Sequence, residues 1–226
     1  MLVNAPYFLY PSGGGSAAPT IIQKSTALAT SASFSAATTA GNTILIIGIA
    51  PNCPSGTFTT NLTGSTNILN FYNATAYGVI LAWYLPNAAS IPAGTSLSYN
   101  SSQYFNQTGI AIFELSPVTA VAQKQTFLPV VASNPEIYNA SCTAASSATL
   151  GFTIWAQSAG AYNNSVATLP SGWTMEVNSF NAASTYAYAG LGVANVSAGA
   201  SPNAVWNITN TDTNNRQAQA ATFLLA

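Results

Sequence analysis

The longest apolar stretches of the chain are Ile44-Leu45-Ile46-Ile47-Gly48-Ile49-Ala50 and Gly78-Val79-Ile80-Leu81-Ala82-Trp83-Tyr84-Leu85. Both are far shorter than the ~20 apolar residues that a helix needs to cross a bilayer. Their length and their turn-like flanks are typical of buried strands. The sequence therefore predicts that both segments lie inside a β-sheet and that neither spans a membrane.

Shorter runs of the same kind continue on both sides, separated by clusters of Gly, Pro, Asn and Ser. This pattern predicts strands throughout and no helix. The predicted strands are residues 20–28, 31–37, 42–50, 67–73, 76–86, 95–101, 109–115, 119–131, 148–157, 171–180, 184–194, 203–209 and 217–225. Along 110–115, the isoleucines and Glu114 share one face, and Phe113 and Leu115 lie on the other. We expect an all-β fold, a single jelly-roll-like β-sandwich of two antiparallel sheets, with no internal repeat of fixed period.

The first 19 residues differ from the rest in composition. An apolar segment, Tyr7-Phe8-Leu9-Tyr10, precedes three glycines at 13–15, which is typical of a strand on a flexible linker. We expect residues 1–19 to form an N-terminal extended arm and residues 20–226 to form the jelly-roll domain. The arm could add to a sheet edge of a neighbouring subunit or fold back on its own domain, and the sequence leaves both open.

Charge is nearly absent from the chain. It has three Lys or Arg, four Asp or Glu and no His, so charged residues make up 3%, against roughly 25% in an average soluble domain. Lys24, Lys124 and Arg216 are far apart and form no basic stripe that would neutralise nucleic-acid phosphates. Metal and acid–base sites usually draw on His or on clusters of Cys and carboxylates. We therefore expect no nucleic acid, no metal and no cofactor.

The small number of titratable groups predicts tolerance of acid. Acid unfolding is driven mainly by protonating carboxylates and charging His. With three basic and four acidic residues, the side-chain charge changes only from −1 at pH 7 to +3 once all four acids are protonated. We expect stability to be nearly constant between about pH 2 and pH 7, which suits a particle exposed to an acidic exterior.

The two cysteines, Cys53 and Cys142, are candidates for a disulfide. Neither belongs to a CxxC motif, and the chain has no His that would complete a zinc site. A bond across this long loop would stabilise the protein by about 4–5 kcal/mol in the chain-entropy model. Two unpaired thiols are the alternative.

Asn-x-Ser/Thr sequons are abundant, and they predict N-linked glycosylation if the host is an archaeon. A surface with so little charge tends to associate, and glycans would keep it solvated. Sequons at turns are favoured over the one that precedes an apolar strand, Asn73. The candidate asparagines are Asn61, Asn73, Asn100, Asn106, Asn139, Asn163, Asn195 and Asn207.

The carboxyl side chains are Glu114, Glu136, Glu176 and Asp212. A glycosidase needs two carboxyl groups about 5–9.5 Å apart, and Glu114 and Glu176 could meet across strands, although a pair of acids in a β-protein is more often inert. No local group of carboxylates favours calcium, and no Ser or Thr has a base partner. We expect no catalytic residues and no enzymatic activity.

Aromatic side chains are the remaining chemical resource. Four Trp and eleven Tyr could form a platform for sugars. Trp83 and Trp155 lie inside apolar strands and are more typical of a core, whereas Trp173 follows a turn-like Ser-Gly pair and is the best candidate for exposure. A carbohydrate-binding adhesion domain is therefore one alternative function.

Three short motifs occur in a recognisable order: Ala40-Gly41-Asn42-Thr43-Ile44-Leu45-Ile46-Ile47, then Ile91-Pro92-Ala93-Gly94-Thr95, then Ile110-Ala111-Ile112-Phe113-Glu114-Leu115-Ser116. They resemble the jelly-roll modules of phage and archaeal-virus virion surface proteins over roughly residues 20–226. The chain departs from that pattern after Ser116: those modules often have a Gly at the next position, whereas this chain has Pro117. The resemblance implies a virion building block or an adhesion module and carries no catalytic residues.

These observations lead to one expected function and one further alternative. We expect a non-enzymatic structural protein of a virion exterior, a capsid, turret or spike subunit of an acidophilic archaeal virus. Its expected partners are copies of itself or other structural subunits, with a cell-surface glycan as a further candidate. The alternative is an extracellular archaeal filament subunit joined by donor-strand complementation. The retained Met1 and the lack of a recognisable signal peptide favour the virion surface.

Overall fold

The computed structural model describes residues 17–51, 56–73, 78–101, 109–127, 136–143, 145–159, 166–178, 187–209 and 216–226. These residues form strands in antiparallel pairs and contain no helix, so the predicted all-β sandwich is confirmed. In the first half of the chain the strands are β1 (Ile21–Ala27), β2 (Ser31–Ser33), β3 (Thr43–Pro51), β4 (Phe58–Thr60), β5 (Thr66–Asn73), β6 (Gly78–Leu85), β7 (Ser96–Ser101) and β8 (Gly109–Leu115). In the second half they are β9 (Val121–Phe127), β10 (Glu136–Asn139), β11 (Thr149–Ala159), β12 (Val166–Thr168), β13 (Thr174–Asn178), β14 (Ala187–Val196), β15 (Val205–Thr209) and β16 (Arg216–Leu225).

The described residues form four sheets, where the sequence had suggested two. The first half contributes a five-stranded sheet, β1-β8-β3-β6-β5, and a three-stranded sheet, β2-β7-β4. The second half contributes β13-β14-β11-β16-β9 and β10-β15-β12. In each half the first strand pairs with the eighth, the second with the seventh and the third with the sixth. This nested pairing is the wrapping of a jelly roll, with the fifth strand attached to the larger sheet.

The second half therefore repeats the first, strand for strand. When its strands are renumbered from one to eight, its sheet orders become 1-8-3-6-5 and 2-7-4. The equivalent residues are 100 positions apart at the first strand, as Lys24 and Lys124 show by pairing with Phe113 and Phe223. At the eighth strand the equivalent residues are 110 positions apart, as Phe113 and Phe223 show. The repeat thus has no fixed period, because the loops of the two halves differ in length.

The irregularities of the sheets are repeated as well. β1 and β9 each contain a bulge after the first residue, which leaves Ile22 and Ala122 without a partner in the register. β5 and β13 each contain a bulge after the second residue, at Ile68 and Glu176. Bulges are specific local features, and four of them at equivalent places show that the two halves share one backbone plan.

The two five-stranded sheets pack face to face and form the central core. Side chains from both halves meet there, among them Leu45 and Phe113 from the first and Phe152 and Phe223 from the second. The Phe152 ring lies 5.1 Å from that of Phe113 and 5.3 Å from that of Phe223, measured between centroids. The large sheets are the inner layers of a four-layer stack, and the three-stranded sheets cover them on the outside.

This layering explains why the two longest apolar runs show no alternation. In β3, Leu45, Ile47 and Ile49 enter the central core, while Ile44 and Ile46 enter the outer core beneath β2-β7-β4. A strand that is covered on both faces reads as a continuous apolar run. The same holds for β8, all seven residues of which are buried, with the two faces divided as the sequence predicted.

Each outer core is built around an aromatic side chain from the seventh strand of its half. In the first half, Tyr99 stacks on Trp83 with ring centroids 6.3 Å apart. In the second half, Trp206 stacks on Trp155 at the same separation. Trp206 is fully buried, and its Nε1 donates to Oγ1 of Thr153 at 2.9 Å.

Candidate functional site

On two equivalent sides of the four-layer stack, an edge strand of one large sheet lies over an edge strand of the other, and each side has a groove. The first groove lies between β1 and β13 and has a volume of about 370 Å³. The second lies between β5 and β9 and has a volume of about 510 Å³. Glu176 lines the first groove and Lys124 lines the second, and these two residues belong to equivalent edges of the repeat.

Beside the first groove, the lysine of the repeat is paired with a carboxylate that lines the groove. Lys24, on β1, forms an ion pair with Glu176, the bulge residue of β13. The carboxylate side chain is 11% exposed and the lysine side chain 48%. The pair therefore joins the two halves of the chain across one side of the central core.

In the second groove the equivalent lysine meets no carboxylate within the described residues. Lys124, on β9, places its Nζ 3.5 Å from the carbonyl oxygen of Ile68, the bulge residue of β5. Ile68 is the equivalent of Glu176, and its side chain is buried in the central core. The bulge thus turns towards the lysine in both grooves, but only one groove supplies an internal negative charge.

Glu114 performs a structural task in the first half. Its carboxylate accepts hydrogen bonds from the backbone N–H of Thr39 at 2.7 Å and from the side-chain amides of Asn42 and Gln23 at 2.6 Å each. Burial alone would raise the pKa of Glu114, but these hydrogen bonds, with that of Thr39 first, outweigh it and hold the pKa below its usual value. The carboxylate therefore holds together three parts of the first half: the loop that leads into β3, its own strand β8, and the edge strand β1.

The two glutamates considered as a catalytic pair belong to different sheets and reach opposite faces of the first five-stranded sheet. Glu114 pairs with Ile44 in the register, and Ile44 belongs to the outer core. Glu176 reaches Lys24, which pairs with Phe113 of the central core. Each carboxylate already has its own partners, and the sheet separates them. The side chain of Glu136 and the residue Asp212 lie outside the described residues.

The tryptophans are mostly interior. Trp83 and Trp155 are buried, as predicted, and so is Trp206. Trp173 is partly buried, and its Nε1 donates to the carbonyl oxygen of Asn203 at 2.8 Å. The described tryptophans therefore offer one partly exposed indole rather than an aromatic platform.

Cys142 is a buried free thiol in this structure. Its Sγ lies 3.6 Å from the carbonyl oxygen of Thr222, to which it donates. Burial raises the pKa of the thiol to about 11, so Cys142 is a poor nucleophile. Cys53 lies outside the described residues, and the disulfide between the two stays a prediction.

Five of the eight sequon asparagines have described side chains, and all five are exposed: Asn61, Asn100, Asn139, Asn195 and Asn207. Asn61 differs from the others because both ends of its amide bind β7. Its Nδ2 donates to Ser96 O and its Oδ1 accepts from Ser98 N, both at 2.8 Å. A glycan on Nδ2 would compete with these two hydrogen bonds, so Asn61 is a weaker candidate for glycosylation than the sequence suggested. The side chain of Asn73 and residues Asn106 and Asn163 lie outside the described residues.

Large exposed apolar side chains in the described residues lie at sheet edges. Ile22 is 54% exposed at the bulge of β1, and Leu28, 59% exposed, follows the same strand. Ile137 is 57% exposed on β10, an edge strand of an outer sheet. The arm residues Tyr7, Phe8, Leu9 and Tyr10 lie outside the described residues; the described chain begins at Ala17 and leads into β1.

Two features are missing from the part of the chain that the structure describes. No three His, Cys, Asp or Glu side chains there could hold a metal ion together. No helix there has the length and hydrophobicity needed to span a membrane.

Comparison of the chain with protein-family models, with curated proteins and with solved structures finds no match.

Proposed function

We propose that the chain is a non-enzymatic structural subunit of a virion exterior, a capsid, turret or spike component of an acidophilic archaeal virus. The observation that carries this proposal is the duplicated, jelly-roll-like wrapping of a chain with seven charged side chains. Two such units stacked on a common core make a rigid block, and a nearly uncharged surface favours association. Neither feature requires a reactive group.

The exposed apolar edges support assembly through β-strands. An open edge strand presents unpaired backbone N–H and C=O groups, and monomeric proteins usually protect such edges with charges or bulges. β10 is an edge strand without a bulge in its register, and it exposes Ile137. β1 is an edge strand that exposes Ile22 at its bulge. The arm at residues 1–19 would add a further strand to a neighbouring subunit, with its glycines supplying reach.

The low charge supports a role in acid. Of the described carboxylates, Glu176 is ion-paired and Glu114 is held ionised by hydrogen bonds. Protonation in acid would break these contacts, but with four acidic side chains in the whole chain the total loss of stability stays small. A surface component of a particle in an acidic exterior would benefit from this property.

Electron microscopy of the native assembly tests the proposal. We expect a closed shell, a vertex or a spike, with the chain on the outside. A helical filament would instead establish the alternative, an extracellular filament subunit. A particle with no ordered assembly would contradict both.

Two variants test the route of assembly. Deletion of residues 1–15 should leave a folded protein that no longer assembles. Ile22→Lys should weaken assembly by charging the edge of β1, whereas Ser96→Lys, which is also exposed but lies on the central strand of an outer sheet, should not. Normal assembly of the deletion variant would remove the arm from the mechanism.

A further inference from the structure

The groove between β5 and β9 has a polar lining around one lysine. We propose that this groove binds a sugar that carries a carboxylate, with Lys124 as the partner of the carboxylate. The lining is Asn67, Ile68, Leu69, Asn70, Phe71, Lys124, Gln125 and Thr126. Its volume of about 510 Å³ lies within the usual range for small-ligand sites. The proposal is independent of the role in a virion.

The equivalent lysine on the other side of the stack already binds a carboxylate. There the same lysine of the repeat holds the carboxylate of Glu176, which belongs to the chain itself. In the second groove the bulge residue is Ile68, and its side chain points into the core. A carboxylate from outside would take the place that Glu176 occupies in the first groove.

The position of Lys124 favours such a ligand. Its Nζ lies near the carbonyl oxygen of Ile68, at 3.5 Å, which keeps the ammonium group over the bulge. Lys124 forms no ion pair with any described residue. In a chain with three basic residues, a cation at a groove where the described residues supply no counter-charge is a specific feature.

The other groups in the groove suit hydroxyls. Thr126 pairs with Ala221 of the central core, so it shares the sheet face of Lys124, and its exposed hydroxyl can both donate and accept hydrogen bonds. Sugar hydroxyls also do both. Asn67, Asn70 and Gln125 also line the groove and are exposed, but they lie on the outer faces of their sheets and border the groove from outside. Phe71 is partly buried and gives the groove an apolar wall, against which the C–H face of a sugar ring can pack.

The backbone of Phe71 is hydrogen-bonded to a buried residue of the second half. Gln219, on β16, is fully buried, and its Nε2 donates to the carbonyl oxygen of Phe71 at 3.3 Å. This hydrogen bond ties β5 of the first half to β16 of the second. The hydrogen bond restrains the backbone at Phe71 before a ligand binds, which lowers the entropic cost of binding at that side of the groove.

The test is a titration of the ¹⁵N-labelled full chain, followed by NMR, with two sugars that differ only at carbon 6. These are methyl β-D-glucuronide and methyl β-D-glucoside. We expect the glucuronide to shift the amide signals of β5 and β9, and to bind about fivefold more tightly, which is the effect of one partly exposed ion pair. Added salt should reduce this preference.

Matched variants identify the lysine. Lys124→Gln should abolish the preference for the glucuronide, whereas Lys24→Gln, the equivalent change in the first groove, should preserve it. Ile68→Glu should also abolish the preference, because it supplies the internal carboxylate that Glu176 supplies in the first groove. The amide spectrum of each variant reports whether it is folded, and Lys124→Gln decides the matter if Ile68→Glu does not fold.

Three results would overturn the proposal. The first is no shift of β5 and β9 signals up to about 50 mM glucuronide, where even a weak site would be partly filled. The second is equal affinity for the two sugars. The third is tighter binding of an acidic peptide than of the glucuronide, which would assign the groove to a protein partner.

Discussion

The two halves of the chain have the same strand order and the same bulges, yet their outer cores are filled differently. In the first half the outer core is mainly aliphatic, with Ile44, Ile46 and Leu81 beneath Tyr99. In the second half it is a pair of stacked tryptophans. The backbone plan is therefore maintained by strand pairing and by the shared central core, while each outer core adapts to its own aromatic residue.

Glycine makes both arrangements possible. Tyr99 lies over Gly48, where an added Cβ would come within 2.9 Å of the ring, and Trp206 lies over Gly190 at the same distance. The two glycines are on different strands, β3 and β14. The halves thus place an aromatic ring against bare backbone by different routes, so the requirement is for space beneath the ring and not for a particular position.

The largest expected effect comes from removing the aromatic residue of the second half. Trp206→Ala should lower the free energy of unfolding by about 3–5 kcal/mol, because it leaves a cavity beside Trp155 and removes the donor to Thr153. Denaturant unfolding followed by circular dichroism measures this. Since both halves share the central core, the variant should still unfold in one transition.

The control for this variant is Trp173→Ala. Trp173 is partly exposed and donates one hydrogen bond to a backbone carbonyl, so its loss should cost about 1–2 kcal/mol. Two separate transitions in Trp206→Ala would contradict a common core, since they would mean that the second half unfolds alone.

Much of this architecture was predictable from the sequence, because it depends on runs of apolar residues. The strand predicted at 109–115 has those bounds in the structure, and its two faces divide as alternation predicted. The missed strands are β4, β10 and β12, which have three or four residues each and belong to the three-stranded outer sheets. A strand this short has too few residues for alternation to be visible.

The duplication was hidden for a physical reason. Equivalent residues drift from 100 to 110 positions apart, as the pairs Lys24–Lys124 and Phe113–Phe223 show. Loop lengths change freely while strand register does not, so a search for a fixed period misses such a repeat. The Gln-Lys pair that begins both halves, at 23–24 and 123–124, was the available signal.

The candidate site was not predictable for a related reason. From the sequence, Glu176 was a possible catalytic acid, and no residue near it in the sequence indicated that its partner is Lys24. The contact arises from a bulge on one sheet edge and a lysine on another, 152 positions apart. The missing carboxylate partner of Lys124 among the described residues is noticeable only by comparison with Lys24, which is paired with Glu176.

Glu114 gives the next prediction, because the second half has Leu224 at the equivalent position. Glu114→Gln keeps the size of the side chain but replaces one acceptor oxygen with an NH₂ group. That group would face at least one of the three hydrogen-bond donors to Glu114 and could not accept from it. The cost should be about 1.5–3 kcal/mol at pH 7, since hydrogen bonds to a charged group are lost. Denaturant unfolding at pH 7 measures it.

The same variant tests the pH dependence. The pKa of Glu114 is lower in the folded protein than in the unfolded chain, so its contribution is complete above the ordinary glutamate pKa and is lost as pH falls through the folded-state value. The wild-type protein should lose a small amount of stability at the acidic end, and Glu114→Gln should show a flatter profile. A fall of tens of degrees in the melting temperature between pH 7 and pH 2 would contradict the acid tolerance.

The glycines beneath the aromatic rings provide a smaller effect in both halves. Gly48→Ala and Gly190→Ala should each cost about 1–3 kcal/mol, because the new methyl group overlaps Tyr99 or Trp206. Thermal unfolding measures both. The comparison is sharpened by Gly190→Ala combined with Trp206→Phe, in which the smaller ring should recover part of the loss. If the double variant is additive, the ring does not press on that position.

The smallest expected effect concerns the ion pair that distinguishes the two grooves. Lys24→Gln should cost no more than about 1 kcal/mol, because the lysine is largely exposed and solvent screens the pair. The loss should shrink in high salt, since a screened pair contributes less to begin with. Lys124→Gln, the equivalent change without a carboxylate partner, should cost still less and show no salt dependence. Denaturant unfolding of both variants at low and high salt therefore measures what the Glu176 carboxylate adds to one groove, and equal salt dependence of the two variants would mean that Lys124 also has an acidic partner.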